Sequence, residues 1–425
     1  MIVSPAFRGK RYAVLGLARS GLATVRALVA SGAHVVAWDG KDDARASVGD
    51  GVVLSDPLEI DLAGFDGVVV SPGVPINRHP IADKAHAANV PLIGDIELFS
   101  QARPSLPPHK VIGITGTNGK STTTALIHHI VETAGIPARL GGNIGLPILG
   151  QEPLPEGGVY VLELSSYQID LCHALDCDIA VLLNITPDHL DRYDGFADYA
   201  AAKERLFTMQ HVDKVAVIAT EDDRTKMIAS RINHRLMRVS SKQVGDQSRW
   251  PSLQGPHNAQ NVAAARAVAE VLGIKASTIE EALHTYPGLP HRMERVRELG
   301  GVVYVNDSKA TNPTSTAPAL AAFPAIHWIL GGRAKTSELD ACVPYFGHVR
   351  AAYTIGESAG MFASLLKGSM PVSECGSLDI AVRAASKAAV AGETVLLSPA
   401  CASFDQFTDF EARGDAFRVA VEALA

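Results

Sequence analysis

The chain has 425 residues, 47% of them hydrophobic and 20% charged, enough to bury several cores and, by length, to form two to four domains; a small disordered or disulfide-stapled protein is excluded. The net charge of -7, with no basic block, argues against a nucleic-acid-binding protein. Cys172, Cys177, Cys342, Cys375 and Cys401 form no CxxC pair, so neither a zinc ribbon nor a disulfide framework is indicated, and reduced thiols in the cytoplasm are expected.

In chain order, "MIVSPAFRGKRYAVLGLARSG" puts basic residues before an apolar run as a signal peptide does, but Arg19 breaks the run and no small-residue cleavage site follows; a first strand is predicted instead. No stretch approaches the roughly 18 uninterrupted apolar residues of a membrane span. Strands are predicted over Tyr12–Leu15, Val35–Trp38, Val68–Val70, Val111–Ile114, Val159–Leu164, Ile179–Asn184, Val215–Ile218, Val302–Val305, Trp328–Leu330 and Val395–Leu397, separated by alanine-rich helical stretches. Continuous apolar strands alternating with helices signal parallel sheets covered on both faces, so the class is α/β. Gly16-x-Ala18-x-x-Gly21 with Asp39 ending the next strand suits a dinucleotide fingerprint, a weak signal when met alone. "FSQARPSLPPHK" (99 to 110) reads as a linker, and Pro287, Gly288 and Pro290 make a second break. Three domains are expected, near 1–100, 101–290 and 291–425.

"GITGTNGKST" (113 to 122) follows the apolar Val111–Ile112. Glycines let the backbone approach a phosphate, the N–H groups of a turn and helix start cradle it, a lysine neutralises it, and a hydroxyl can ligate Mg²⁺. Gly116, Gly119, Lys120 and Ser121 supply those parts, although Ile114 stands where a strict Walker loop has its first glycine. Glu163 at a strand end, and Asp188, His189 and Asp191 after the next strand, are either Mg²⁺ ligands beside that phosphate or a solvated acidic loop. Lys203, on the short amphipathic helix 199–207, reads by pattern as an exposed lysine. "NDSKATNP" (306 to 313), "LGGRAKTSELD" (330 to 340) and "LSPACASFDQFTDFEARGDAF" (397 to 417) each follow a strand with hydroxyls, glycine and a cation, which suits gripping a small carboxylate-bearing molecule or capping helices, Ser403 included. Two nucleotide-type turns point to a nucleotide-linked substrate together with a nucleotide energy source. A nicotinamide dehydrogenase would leave "TGTNGKST" and the acidic loops unexplained, and a P-loop transport or regulatory ATPase would hydrolyse without an acceptor.

"TGTNGKST", "GNIG" (142 to 145), "LELSSYQ", "NITPDHLDRY", "AAKERLF", "HRME", "NDSKATNP", "GGRAK" and "LSPACASFDQFTDFEARG" together resemble the Mur ligases of bacterial peptidoglycan synthesis, over essentially the whole chain and in order. The likeness is greatest to the members that add D-glutamate; the diaminopimelate- and lysine-adding members carry an Asp-Asn-Pro-Arg run that is missing here. The resemblance implies an N-terminal Rossmann-like domain for the UDP-sugar, a central P-loop-type ATPase with a mainly parallel sheet, and a C-terminal Rossmann-like domain for the incoming amino acid. It also implies a reaction in which ATP phosphorylates the carboxylate of UDP-MurNAc-L-Ala and the amine of D-glutamate attacks the acyl phosphate. By the same resemblance Gly116, Thr117, Asn118, Gly119, Lys120, Ser121 and Thr122 bind ATP phosphates, joined on the nucleotide by His291, Arg292, Asn306 and Asp307. Ser121 and Glu163 hold a first Mg²⁺, and His189 a second, with Lys203 turned by CO₂ into a carbamate ligand. Leu17, Ser71, Pro72, Gly73, Asn143 and His189 contact the UDP-sugar; Thr311, Lys335, Ser403 and Phe410 take D-glutamate; Lys309 steadies the charged intermediate. Its partners are small molecules, with no nucleic acid and no membrane, and a monomer is expected.

Overall fold

The computed structural model describes residues 1–188 and 192–424. The chain forms two compact units, one of Met1–Ser240 with Ala263–Ala282, the other of Ser241–Val262 with residues from Leu283 onward. Among the described residues no helix is long and apolar enough to cross a membrane.

The first unit holds two sheets. β1 (Arg11–Leu15), β2 (His34–Trp38), β3 (Val52–Leu54), β4 (Gly67–Val70) and β5 (Leu92–Ile93) make a five-stranded sheet in the order β3-β2-β1-β4-β5. Every pairing in it is parallel. That order reverses direction between β1 and β4, the crevice where open α/β sheets bind ligands. Leu15 pairs with Trp38 on one side and Val70 on the other, so the turns after β1, β2 and β4 leave from one edge.

β6 (His109–Thr115), β7 (Ala138–Gly142), β8 (Gly158–Glu163), β9 (Ile179–Leu182), β10 (Val215–Ala219) and β11 (Arg235–Val239) form a second parallel sheet, ordered β11-β10-β9-β6-β8-β7. β8, β9 and β10 are buried along their full length, as β-branched strands covered by helices on both faces must be. Ile114 pairs with Glu163 and Thr115 with Leu182, which brings the ends of β6, β8 and β9 side by side. The proline-rich stretch from 99 to 110 is no loose tether. Helix Asp95–Ala102 runs into it, Phe99 packs edge-on against Tyr160 at 4.9 Å, and one apolar core takes in Leu98, Phe99, Val111 and Leu164.

In the second unit β12 (Glu294–Leu299), β13 (Val302–Asn306), β14 (Ile326–Gly331), β15 (Val349–Ile355), β16 (Val372–Gly376) and β17 (Thr394–Leu397) are ordered β12-β13-β17-β14-β15-β16. Only β12, paired with β13, is antiparallel. Leu397 lies beside both Asn306 and Ile329, so the segments 306–313, 330–340 and 397–410 leave from the same edge.

All ten predicted strands are present, although Leu164 lies beyond the end of β8, and Leu183 and Asn184 beyond the end of β9. The seven unforeseen ones are mostly edges or polar. β7, β11, β12 and β16 border solvent and carry Arg, Glu or Gly in place of an apolar run, and β3 and β5 are very short.

Candidate active site

The phosphate-type loop sits at the carboxyl end of β6 and opens helix Lys120–Thr133. Gly116 and Gly119 have φ of 150° and 83°, values that a residue with a Cβ seldom adopts. The next strand fixes the loop. Thr117 N–H donates to Asn184 O (2.8 Å), Asn118 N–H to Asn184 Oδ1 (2.9 Å), and Thr186 N–H to Thr117 Oγ1 (3.1 Å). Lys120 bends back so that Nζ donates to the carbonyls of Gly116 (2.9 Å) and Thr117 (2.8 Å), and Ser121 is buried in the first helical turn.

Glu163 ends β8 beside this loop and is buried. Its Oε1 accepts from Asn143 Nδ2 at 2.8 Å, whereas buried Oε2 has no hydrogen-bond partner among the described residues. An orphaned carboxylate oxygen at the mouth of a phosphate loop fits a cation, so Glu163 suits Mg²⁺. Among the described residues no three His, Cys, Asp or Glu form a metal cage; Mg²⁺ beside a nucleotide uses few protein ligands and takes the rest from phosphate and water. His189 and Asp191 lie outside the described residues.

Lys203 corrects the expectation of an exposed side chain. It is 1% exposed, and its Nζ donates to Gly116 O at 2.9 Å, the carbonyl that Lys120 also uses, and lies 4.6 Å from the Tyr199 ring centroid. Burial, and then the neighbouring Lys120 charge, push its ammonium well below the ordinary lysine range against the pull of Asp188, Asp170 and Glu163. The sequence carried the signal: Tyr199, Leu206 and Phe207, all buried, share with Lys203 the helix face set by spacings of three and four.

In the five-stranded sheet, Gly16 follows β1 with φ of 95°, and Ser71 Oγ donates to its carbonyl at 3.1 Å; a Cβ on Gly16 would meet that Oγ at 2.6 Å. Asp39 is used by the protein itself. Its oxygens accept from Leu17 N–H (2.7 Å) and Lys41 N–H (2.9 Å); although burial works the other way, these bonds and the Lys41 and Arg45 charges hold its carboxyl below the ordinary range. Leu17 is buried, while Ser71, Pro72 and Gly73 form the turn after β4, with Leu17 and the Ser71 turn on either side of the β1–β4 crevice. Arg192, which motif reading passed over, donates to the carbonyls of that turn.

In the second unit His291 (φ 61°) and Met293 (φ 48°) adopt left-handed conformations that non-glycine residues hold only when their surroundings fix them. Here His291 N–H donates to Glu294 Oε2 (2.8 Å), and Asn306 Nδ2 lies 3.1 Å from His291 Nδ1 and donates to Gly414 O (3.1 Å). Buried Asp307 accepts from Ser398 Oγ (2.8 Å) and Met293 N–H (3.2 Å), yet burial pushes its carboxyl up to about 7. Lys309 Nζ stands 3.6 Å over the Phe410 ring, which meets His291 edge-on at 6.1 Å. Thr311, Lys335 and Ser403 follow β13, β14 and β17 at one sheet edge; Thr311 is half-buried, Lys335 exposed and Ser403 buried. Ser403 caps no helix, since Asp409 caps the one at Phe410–Glu422. Arg413, also unforeseen, is fully buried and ties Ser308 Oγ (2.9 Å), Ser308 O (2.7 Å) and Cys401 O (3.1 Å) together.

Residues 114–251 match the Mur ligase middle domain and residues 291–401 the Mur ligase glutamate ligase domain. Among curated relatives, the UDP-N-acetylmuramoylalanine–D-glutamate ligase of Sphingopyxis alaskensis is 64% identical with all of both chains covered. Those of Novosphingobium aromaticivorans (63%, all of this chain and 97% of that one) and Zymomonas mobilis (57%, all of both) are similar along their full lengths. Among solved structures, a MurF ligase from Thermotoga maritima in complex with ADP aligns with a TM-score of 0.63 at 15% identity, covering 100% of this chain and 96% of that one. The UDP-N-acetylmuramate–alanine ligase of the same organism aligns at 0.59 and 15%, covering 97% and 99%. At such identities these two likenesses speak for the fold alone, a three-domain α/β architecture with Rossmann-like ends.

Proposed function

The chain belongs to the Mur ligase family, and from that premise we infer that it is an ATP-dependent amide ligase adding D-glutamate to UDP-N-acetylmuramoyl-L-alanine during peptidoglycan precursor synthesis. The observation that carries this reading is identity of 57–64% over the whole chain to relatives named for that reaction. The geometry of the phosphate loop, Glu163 and Lys203 agrees with it.

A carboxylate is a poor electrophile because its carbonyl carbon is electron-rich and its leaving group would be oxide. Attack of the substrate carboxylate oxygen on the γ-phosphorus of ATP, with ADP leaving, turns one oxygen into a phosphate leaving group. The D-glutamate nitrogen then forms the amide bond as phosphate departs and the amine proton is lost. Charge gathers on the transferring phosphoryl, where preorganised cations and N–H groups count most. The loop from Gly116 to Thr122, including Thr117, Asn118 and Gly119, cradles the ATP phosphates; Lys120 exchanges its two carbonyl partners for them. Ser121 and Glu163 Oε2 would hold one Mg²⁺, and His189 with a carbamylated Lys203 a second, and the metal would supply charge neutralisation there. The site favours that modification of Lys203, because burial and then the Lys120 charge push its ammonium well below the ordinary lysine range and so favour the nucleophilic amine; the new N–C bond of the amine with CO₂ releases one proton and leaves an anionic oxygen ligand.

For the substrates, Leu17, Ser71, Pro72 and Gly73, with Asn143 and His189, hold the UDP-sugar on the domain near 1–100. His291, Arg292, Asn306 and Asp307 serve the nucleotide. Thr311, Lys335, Ser403 and Phe410 orient D-glutamate on the domain from 291, and Lys309 steadies the acyl phosphate. The test is phosphate release from ATP with UDP-MurNAc-L-Ala and, in turn, D-glutamate, L-glutamate, meso-diaminopimelate or L-lysine, with mass spectrometry of the product. Release with D-glutamate alone is expected; release with another acceptor only would overturn the specificity, and none with any would overturn the ligase.

A further inference from the structure

Within the first unit the connection after β9 is bonded to two parts of the candidate site, the phosphate-type loop and the turn after β4. On leaving β9 it meets the phosphate loop, where Thr186 N–H donates to Thr117 Oγ1 and Thr117 Oγ1 donates to Thr186 O, both 3.1 Å. At its far end Arg192 turns to the five-stranded sheet. Its NH2 donates to Val74 O at 3.0 Å, with longer contacts to the carbonyls of Pro72 (3.4 Å) and Gly73 (3.5 Å), so the guanidinium plane gathers the turn that follows β4. The same plane lies 4.1 Å from the Tyr167 ring centroid, on the helix that follows Glu163. Tyr193 in turn stacks on Tyr167 at 6.1 Å and donates its hydroxyl to Asp170 Oδ2 at 2.7 Å.

Arg192 thus joins three segments that leave the carboxyl ends of β4, β8 and β9. Each carries candidate ligand contacts: Ser71 to Gly73 on the first, Glu163 on the second, the Thr186–Asp188 stretch on the third. A guanidinium can do this because it is flat, permanently charged and rich in donors, so it stacks on a ring and bonds several carbonyls at once; an ammonium does not stack and offers no planar fork. We infer that Arg192 is a positioning residue which sets the Ser71–Val74 turn against the phosphate loop, so that the acceptor substrate's carboxylate arrives aligned with the phosphoryl group. The inference rests on the ligase reading above. It assigns Arg192 no contact with substrate.

Two variants, Arg192→Ala and Arg192→Lys, test it in steady-state assays varying UDP-MurNAc-L-Ala and ATP separately, beside their thermal midpoints. For Arg192→Ala the expected result is a KM for UDP-MurNAc-L-Ala raised about tenfold or more and kcat lowered by a similar factor, since slight misplacement of a reacting group is costly. The KM for ATP stays within about threefold and the midpoint within about 3 °C, because the lost contacts are carbonyl bonds at a half-exposed site. Arg192→Lys recovers less than half of the loss. The inference is overturned if the KM for UDP-MurNAc-L-Ala in Arg192→Ala stays within twofold of the wild type. It is equally overturned if both KM values rise together with a fall in midpoint, or if Arg192→Lys is fully active. Should Arg192→Ala not fold, Arg192→Lys decides, with reduced turnover at an unchanged midpoint supporting the inference. A wild-type enzyme that releases no phosphate with D-glutamate would overturn the ligase reading instead. Calorimetric titration of UDP-MurNAc-L-Ala into wild type and variants then settles Arg192 separately, with unchanged affinity counting against it.

Discussion

Replacing Lys203 by alanine separates a structural lysine from one that must become an anion. The side chain is fully buried, and its Nζ bonds Gly116 O at 2.9 Å. Removing it deletes three methylenes, worth about 2 kcal/mol of burial. Against that, Gly116 O keeps Lys120 as a donor at 2.9 Å, and the fold no longer has to bury a titratable nitrogen beside the Lys120 charge. Stability should therefore change by no more than about 2 kcal/mol, near or below the effect of an ordinary core truncation. Activity should change far more. If a carbamate oxygen helps hold the charge around the phosphoryl group, its loss costs about 3–5 kcal/mol of transition-state stabilisation, or about 10²- to 10⁴-fold in rate. The assay is D-glutamate-dependent phosphate release with and without added formate or acetate, whose carboxylate fits the vacated space and should restore part of the rate. Carbon-13 NMR of the wild type in labelled bicarbonate should show one carbamate carbon that Lys203→Ala lacks. Full activity of the variant, or no labelled carbon in an active wild type, would refute the reasoning.

Lys120→Ala should lower turnover by at least about 10³-fold while leaving the fold intact, since its two carbonyl bonds lie within its own loop; phosphate release and circular dichroism check both halves. Gly414→Ala places a Cβ 2.0 Å from His291 Nδ1, within a helix that cannot give way, and should cost about 2 kcal/mol and raise the KM for ATP; an unchanged midpoint would exclude the clash. Asp307 gives a pH dependence of definite sign. Its folded pKa of about 7 lies above the ordinary 3.8, so between those values the folded state holds a proton that the unfolded chain has lost, and stability falls as pH rises. Relative to Asp307→Asn, the wild type should lose up to about 4 kcal/mol from pH 4 to pH 7, read from thermal midpoints of both proteins; parallel pH profiles would refute the burial argument.

The α/β class and the strands at the middle of each sheet were legible because buried parallel strands must be apolar on both faces, as "VYVL" and "AVLL" are. The edges were not. Arg235–Val239 and Glu294–Leu299 mix charged with apolar residues without a clean period of two, and only pairing with a buried neighbour makes them strands. The stretch from 99 to 110 does join the two sheets of the first unit, but its proline and polar composition describes only what the chain offers to water, whereas Phe99 and neighbouring Leu98 turn inward on a core shared by both sheets. Composition marks a surface segment there without saying whether it is loose.

The site divides in the same way. The phosphate loop was readable because its chemistry is local: a positive φ needs glycine, and the lysine and hydroxyl belong to the same turn. Lys203, Arg192 and Arg413 act across sheets or between distant loops, with partners 87, 118 and 105 residues away, and no short window contains both halves of such a contact. Yet the three differ in how far physics alone could have gone. A lysine in the middle of an apolar helix stripe must either break the helix's packing or find a polar partner, so the stripe of Tyr199, Lys203, Leu206 and Phe207 already demanded a partner, though not Gly116. Arg413 stands on the helix face of buried Gly414 and Phe417 and obeys the same argument. Arg192 does not, because it stands in a connection with no periodicity to violate. Its role becomes visible only when the turn after β4 and the ring of Tyr167 are seen to converge on one guanidinium.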